Sequence, residues 1–103
     1  MNLTIIQTTC PSKKEAKKIA KALIEEKLVA CVQFLKIKSM YKWNNELCFS
    51  KEILLNIKTT KDNFDKVKNL ISTMHSYEVP EIIEINASNC SEDYLQFIKD
   101  NTK

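Results

Sequence analysis

Four cysteines and one histidine are the side chains of this sequence best able to hold a metal or attack a substrate. Cys10, Cys31, Cys48 and Cys90 are widely spaced and form no CxxC pair, so neither a zinc knuckle nor a thioredoxin-type motif can be drawn from them. Each is expected to be a reduced thiol that behaves as a small hydrophobe. His75 is the only imidazole; it can contact a metal, or it can hydrogen-bond and order the segment from Tyr77 to Glu81. Cys31 and His75 could pair as thiolate and imidazolium, but nothing beside either one in the sequence activates it. The chain contains no glycine, which excludes phosphate-cradling and dinucleotide-binding loops of the glycine-rich kind. No enzyme is expected.

The charge pattern narrows the partners. Sixteen basic residues against 13 acidic ones give a formal charge of +3, and the basic residues are all lysines scattered among acids. Arginine, with the bidentate fork that phosphate and base edges favour, is absent. Nucleic acid is therefore not an expected partner. With 103 residues and a hydrophobic fraction of 44%, residues 1–103 are expected to form a single domain around one core. The first residues carry no basic leader pattern, and no apolar run approaches the roughly 18 residues that a membrane span needs. A cytoplasmic protein is expected, with no membrane contact.

The elements that must position these side chains follow from periodicity. Residues 3 to 9 are rich in β-branched types and end at Cys10-Pro11, where proline's missing N–H stops a ladder. Ser12-Lys13-Lys14-Glu15 reads as a capping box, in which the Ser12 hydroxyl accepts from the Glu15 amide and Glu15 reaches back. The helix that follows places Ala16, Ile19, Ala20, Leu23 and Ile24 on its apolar stripe and leaves its lysines in water. From Leu28 the period changes to that of a long strand, in which Lys36, Lys38, Met40 and Lys42 alternate with Ile37, Ser39, Tyr41 and Trp43. Asn44-Asn45 tolerates the positive φ of a tight turn, and Leu47 to Lys58 returns with Ile53, Leu55 and Ile57 on one face. Asp62 is expected to cap a second helix with Phe64, Val67, Leu70, Ile71 and Met74 inward. A short strand, Ile82 to Ile85, follows Pro80. A last helix opens at Ser91-Glu92-Asp93 and carries Tyr94, Phe97 and Ile98 on its apolar face.

This order, βαββαβ with a C-terminal helix, is an α+β pattern, and two helices on one face of an antiparallel sheet give the ferredoxin-like, or split βαβ, arrangement. Hairpin strands of roughly twelve residues exceed the usual five to six. Their distal halves would leave edge groups, Met40, Tyr41 and Trp43 exposed in a monomer, so an oligomer that covers them is expected.

Five stretches in this order resemble the CutA family of divalent-cation tolerance proteins: Thr8 to Pro11, Glu26 to Val32, Ser39 to Trp43, Ile57 to Thr60 and His75 to Glu81. The resemblance implies a ferredoxin-like homotrimer with a polar pocket where subunits meet, and a part in tolerance of copper and other divalent metals. Carried over residue by residue, that pocket would hold Cys31, His75 and Glu81 as metal ligands, with Tyr41, Trp43, Lys58 and Tyr77 as further binding groups. Thiolate, imidazole and carboxylate together suit Cu or Zn. Some bacterial members carry a cysteine and a second histidine where this chain has Thr8 and Met74. The family also has one more residue between Cys31 and Tyr41, and because side chains alternate along a strand, its loss would exchange faces unless a bulge is lost too. The competing reading is a trimeric sensor similar to PII-type signal proteins, with a nucleotide or other small anionic ligand near Lys58. The short Asn44-Asn45 turn, in place of a long signalling loop, speaks against it.

Overall fold

The computed structural model describes residues 2–103. Its strands are β1 (Leu3–Cys10), β2 (Cys31–Trp43), β3 (Glu46–Thr60) and β4 (Ile83–Asn86), and its α-helices are α1 (Lys13–Glu25), α2 (Phe64–Met74) and α3 (Glu92–Asp100). The strands form one antiparallel sheet in the order β2-β3-β1-β4. Sheet order and element order together are those of the split βαβ plan.

The core lies between one face of the sheet and helices α1 and α2. Ile6 and Cys10 of β1 and Ile53, Leu55 and Ile57 of β3 pack with Ala16, Ile19 and Leu23 of α1 and Val67 and Ile71 of α2. Burying each of the larger of these side chains stabilises the fold by about 1.5–3 kcal/mol. Ile24, expected on the inner stripe of α1, faces outward instead. On the opposite face of the sheet Leu35, Ile83 and Ile85 remain exposed, and α3 lies near only one end, where the Lys58 Nζ stands 5.4 Å from the centroid of the Tyr94 ring.

Local details correct several sequence expectations. Strand β2 begins at Cys31 and not at Leu28. Residues Glu26 to Leu28 instead close helix α1: Lys27 adopts φ 57°, and the Leu28 amide donates to the Leu23 carbonyl at 3.1 Å, the six-to-one bond of a Schellman end. A glycine normally takes that left-handed position, and here a lysine does. Asp62 does not cap α2. It lies inside a short 3₁₀ turn, Lys61–Asn63, and Asn63 occupies the cap position with its side chain turned inward. The Asn63 amide group donates to the carbonyl of Leu28 at 3.1 Å, which also accepts from the Thr59 hydroxyl at 2.6 Å. These bonds tie the start of α2 to the end of α1.

The hairpin is unbroken, and β3 (Glu46–Thr60) runs longer than the expected Leu47 to Lys58. Every residue from Cys31 to Trp43 has a partner on β3, from Lys58 down to Glu46, and Asn44 and Asn45 turn the chain with φ of 50° and 64°. A two-residue turn with both φ positive matches the right-handed twist of the strands it joins. The radius of gyration, 14.2 Å, exceeds the ~13 Å expected of a compact chain this long, because the hairpin projects beyond the helices. At its tip Met40, Leu47 and Phe49 are 65%, 72% and 63% exposed.

Candidate functional site

The absence of a bulge fixes the geometry of the candidate residues. Cys31, Tyr41 and Trp43 share one face of β2, because no residue between them breaks the alternation. They are nevertheless far apart. Ten residues separate Cys31 from Tyr41, which is about 33 Å of extended strand. Cys31 pairs with Lys58 at the α3 end of the sheet, whereas Tyr41 and Trp43 lie at the hairpin end.

At the hairpin end a cavity of about 570 Å³ is lined by Thr9, Ser39, Tyr41, Trp43, Cys48, Glu52, Tyr77 and Glu81 among others. Four of the seven residues expected from the sequence thus meet here: Tyr41, Trp43, Tyr77 and Glu81. The segment after α2 brings the last two. It is held in place by His75, whose Nε2 lies 2.7 Å from the Thr9 carbonyl and whose Nδ1 accepts from the Tyr77 amide at 3.0 Å. A carbonyl can only accept, so the imidazole carries its proton on Nε2. The ordering role open to His75 in the sequence is therefore the one its hydrogen bonds perform. Cys31 and Lys58 do not reach this cavity within one chain.

Sequence reasoning missed Glu52. It sits in β3 opposite Ile37, is 7% exposed, and accepts a hydrogen bond of 2.7 Å from the Tyr77 hydroxyl. An acid in the middle of an apolar strand was the available signal. The charge of Glu52 acts on its neighbours. Burial, and then the nearby Glu52 carboxylate, pushes the Glu81 carboxyl above its ordinary value. Burial, the hydrogen bond to Glu52 and its charge likewise raise the Tyr77 phenol. Two carboxylates facing one cavity repel, and a divalent cation between them would remove that repulsion.

Behind the Tyr77 turn, on the core side, lies a second group that the spacing did not reveal. Cys10, Glu15 and His75 each bring a donor atom within 4.8 Å of the others. Glu15 does not complete the capping box. The Ser12 hydroxyl accepts from the Glu15 amide at 3.2 Å as expected, but the Glu15 carboxylate turns away, accepts from the Ser76 amide at 3.3 Å and stands 3.4 Å from His75 Nδ1. Burial, followed by the charges of Glu15 and Glu52, pushes the Cys10 thiol up to about 11. Cys48, on the hairpin, is one of the residues lining the cavity, and Cys90 is half-buried in the loop before α3.

Comparison with known proteins agrees with this architecture. The model of the CutA1 divalent ion tolerance protein family matches residues 4–101. The divalent-cation tolerance protein CutA of Thermus thermophilus is 38% identical over 99 residues, covering 95% of this chain and 96% of that protein. The human protein CutA is 34% identical over 96 residues, which are 92% of this chain and 54% of the human one. Among solved structures, the periplasmic divalent cation tolerance protein CutA of Archaeoglobus fulgidus matches with a TM-score of 0.96 at 34% identity, covering 98% of this chain and 99% of that one. CutA1 from a psychrotrophic Shewanella matches with a TM-score of 0.94 at 42% identity, covering 98% and 95%. On the family match and on these similarities, this chain belongs to the CutA1 divalent ion tolerance family.

Proposed function

We propose that this chain works as a cytoplasmic homotrimer that takes part in divalent metal tolerance by binding copper or zinc in a cavity at the subunit boundary, without catalysing a reaction. The observation that carries this reading is the convergence of Glu52, Glu81, Tyr41 and Tyr77 on one cavity, where burial and the Glu52 carboxylate raise the cost of charge on Glu81. The metal is cargo here, and the cavity offers it oxygen donors.

Two exposed surfaces support an assembled state. Leu35, Ile83 and Ile85 expose an apolar sheet face, and the hairpin tip exposes Met40, Leu47 and Phe49; a domain of this size with a small core gains stability by covering both. The strand geometry adds a second reason. Of the three ligands expected from the sequence, Glu81 lines the cavity and His75 stands behind its wall, while Cys31 lies about 33 Å from Tyr41 along β2. Cys31 and Lys58 therefore join the cavity only from a neighbouring subunit. Among the described residues no helix is long and apolar enough to cross a membrane.

The test is calorimetric titration of the purified protein with Zn(II), Cu(II) and ATP, beside light scattering at micromolar concentration. The expected result is a trimer mass, metal binding that weakens in Glu52→Gln and Glu81→Gln, and no heat from ATP. A monomer mass near 11.9 kDa, or ATP binding without metal binding, overturns the reading; the second outcome would favour the PII-like alternative, against which the two-residue turn at Asn44 and Asn45 stands.

A further inference from the structure

We infer that Cys10, Glu15 and His75 form a cation site inside a single subunit, separate from the cavity and independent of the assembly, that takes a borderline divalent ion of the zinc class. The three donors come from three elements: the last residue of β1, the first turn of α1 and the end of α2. Their atoms lie within 4.8 Å of one another. A thiolate, an imidazole and a carboxylate are a donor set that zinc-class ions accept.

His75 is prepared for this role. A metal-bound histidine commonly donates its other ring N–H to a carbonyl, which fixes the tautomer and the ring plane. Here Nε2 donates to the Thr9 carbonyl at 2.7 Å, which makes Nδ1 the acceptor of the ring, engaged by the Tyr77 amide with Glu15 Oε2 3.4 Å away. Two acceptors face each other at that distance. In a tetrahedral site with metal–nitrogen and metal–oxygen bonds of about 2.0–2.2 Å, the nitrogen–oxygen edge is about 3.3–3.5 Å. The Nδ1–Oε2 pair already stands at that spacing, and the thiol must close by about 1 Å to complete the third corner at a metal–sulfur bond of about 2.3 Å.

Access is from the side of Glu15, whose side chain is 18% exposed while that of His75 is fully buried; Cys10 is also fully buried. Water reaching the site past Glu15 would complete the coordination. On binding, Nδ1 gives up the Tyr77 amide that it now accepts from at 3.0 Å, an exchange of one hydrogen bond for one coordinate bond.

Cobalt(II) is the probe, because a cobalt–thiolate bond gives a charge-transfer band that oxygen and nitrogen donors do not. The protein is titrated under reducing conditions, and the expected result is a thiolate band that saturates at one ion per chain. Loss of a group that only orients a ligand weakens metal sites by about 10–100-fold, so Cys10→Ser, which removes a ligand, is expected to abolish the band and weaken binding by about 100-fold or more. Glu15→Gln, a change near the surface that leaves the core intact, is expected to keep the band and weaken binding by about 10-fold or more. Cys31→Ser and Glu81→Gln, which address the cavity and the assembly, are expected to leave the band unchanged. The proposal is overturned if wild type shows no thiolate band, if the band survives in Cys10→Ser, or if Cys31→Ser removes it. Cavity binding that fails in Glu81→Gln while the thiolate band persists would strike the proposed function and leave this site standing.

Discussion

The bond between Tyr77 and Glu52 is the contact on which the cavity depends most, and removing the Tyr77 hydroxyl tests it. Tyr77→Phe keeps the ring against His75, whose centroid lies 4.8 Å away, and deletes only the 2.7 Å hydrogen bond to Glu52. A hydrogen bond to a charged acceptor contributes about 1.5–3 kcal/mol, because its loss leaves the carboxylate short of a donor as well as the bond unmade. Glu52 opens on a cavity of about 570 Å³ that water can enter, so the lower end of that range is expected, about 1.5 kcal/mol. With an unfolding entropy of about 2.1 cal/mol/K per residue, this corresponds to a fall in Tm of about 7 °C. Thermal unfolding of wild type, Tyr77→Phe, Glu52→Ala and the double variant isolates the pair. A coupling energy above about 1 kcal/mol is expected. A coupling below about 0.5 kcal/mol would show that the bond does not hold the turn, and the argument that Tyr77 positions Glu52 for a cation would fall with it. The phenol supplies an independent check. Its pKa is raised in the folded state, so its contribution to stability is complete below the ordinary tyrosine pKa of about 10 and is lost as pH rises through the folded value. Stability of wild type should therefore fall more steeply than that of Tyr77→Phe above pH ~10.

Three further outcomes are expected. Thr8 carries a buried hydroxyl without a hydrogen-bond partner, so Thr8→Val should stabilise the fold by about 1–2 kcal/mol, measured by chemical denaturation. Lys27 occupies a left-handed position at the end of α1, and Lys27→Gly should raise stability by about 0.5–1 kcal/mol in the same assay. Cys10, buried and pushed up to about 11, presents little thiolate near neutral pH; in a metal-free alkylation time course followed by mass spectrometry it should react last, after the half-buried Cys31, Cys48 and Cys90.

Periodicity made the elements legible, because alternation and three-to-four spacing report which face is buried regardless of what it is buried against. The capping residue Ser12, the Asn44-Asn45 turn and the inward face of β3 are all visible in this way. What the sequence withheld are the contacts decided across elements. Asp62 has the side chain of a good cap, but Asn63 is drawn inward by the carbonyls of Leu28, after α1, and of Lys103, and the helix starts one residue later. Glu15 has the position of a capping-box acid, but its carboxylate accepts instead from the Ser76 amide, which only the end of α2 brings within reach. The resemblance named Tyr41, Trp43, Tyr77 and Glu81 as neighbours, and the fold brings them to one cavity. It could not show that Glu52 lies among them, since the pairing of Glu52 with Tyr77 spans 25 residues.

The segment from His75 to Glu81 is where these two sets of donors meet. On one side Tyr77 and Glu81 face the cavity with Glu52, a set of oxygen donors open to water. On the other, His75 turns to Cys10 and Glu15, a set that includes sulfur and nitrogen and is largely closed to water. The same imidazole that fixes the Tyr77 turn through its Nδ1 is therefore the group whose lone pair an ion on the closed side would take. Because Nδ1 has one lone pair in the ring plane, it can accept from the Tyr77 amide or bind a cation, but not both. Occupation of the closed side must then loosen the turn that holds Tyr77 against Glu52, and by linkage an ion in the cavity that needs that turn intact must weaken binding on the closed side by the same factor. A zinc titration of wild type beside Cys10→Ser reads this directly: Cys10→Ser should bind more tightly in the cavity than wild type at saturating metal, and equal cavity affinities would show that the two sides do not communicate through His75.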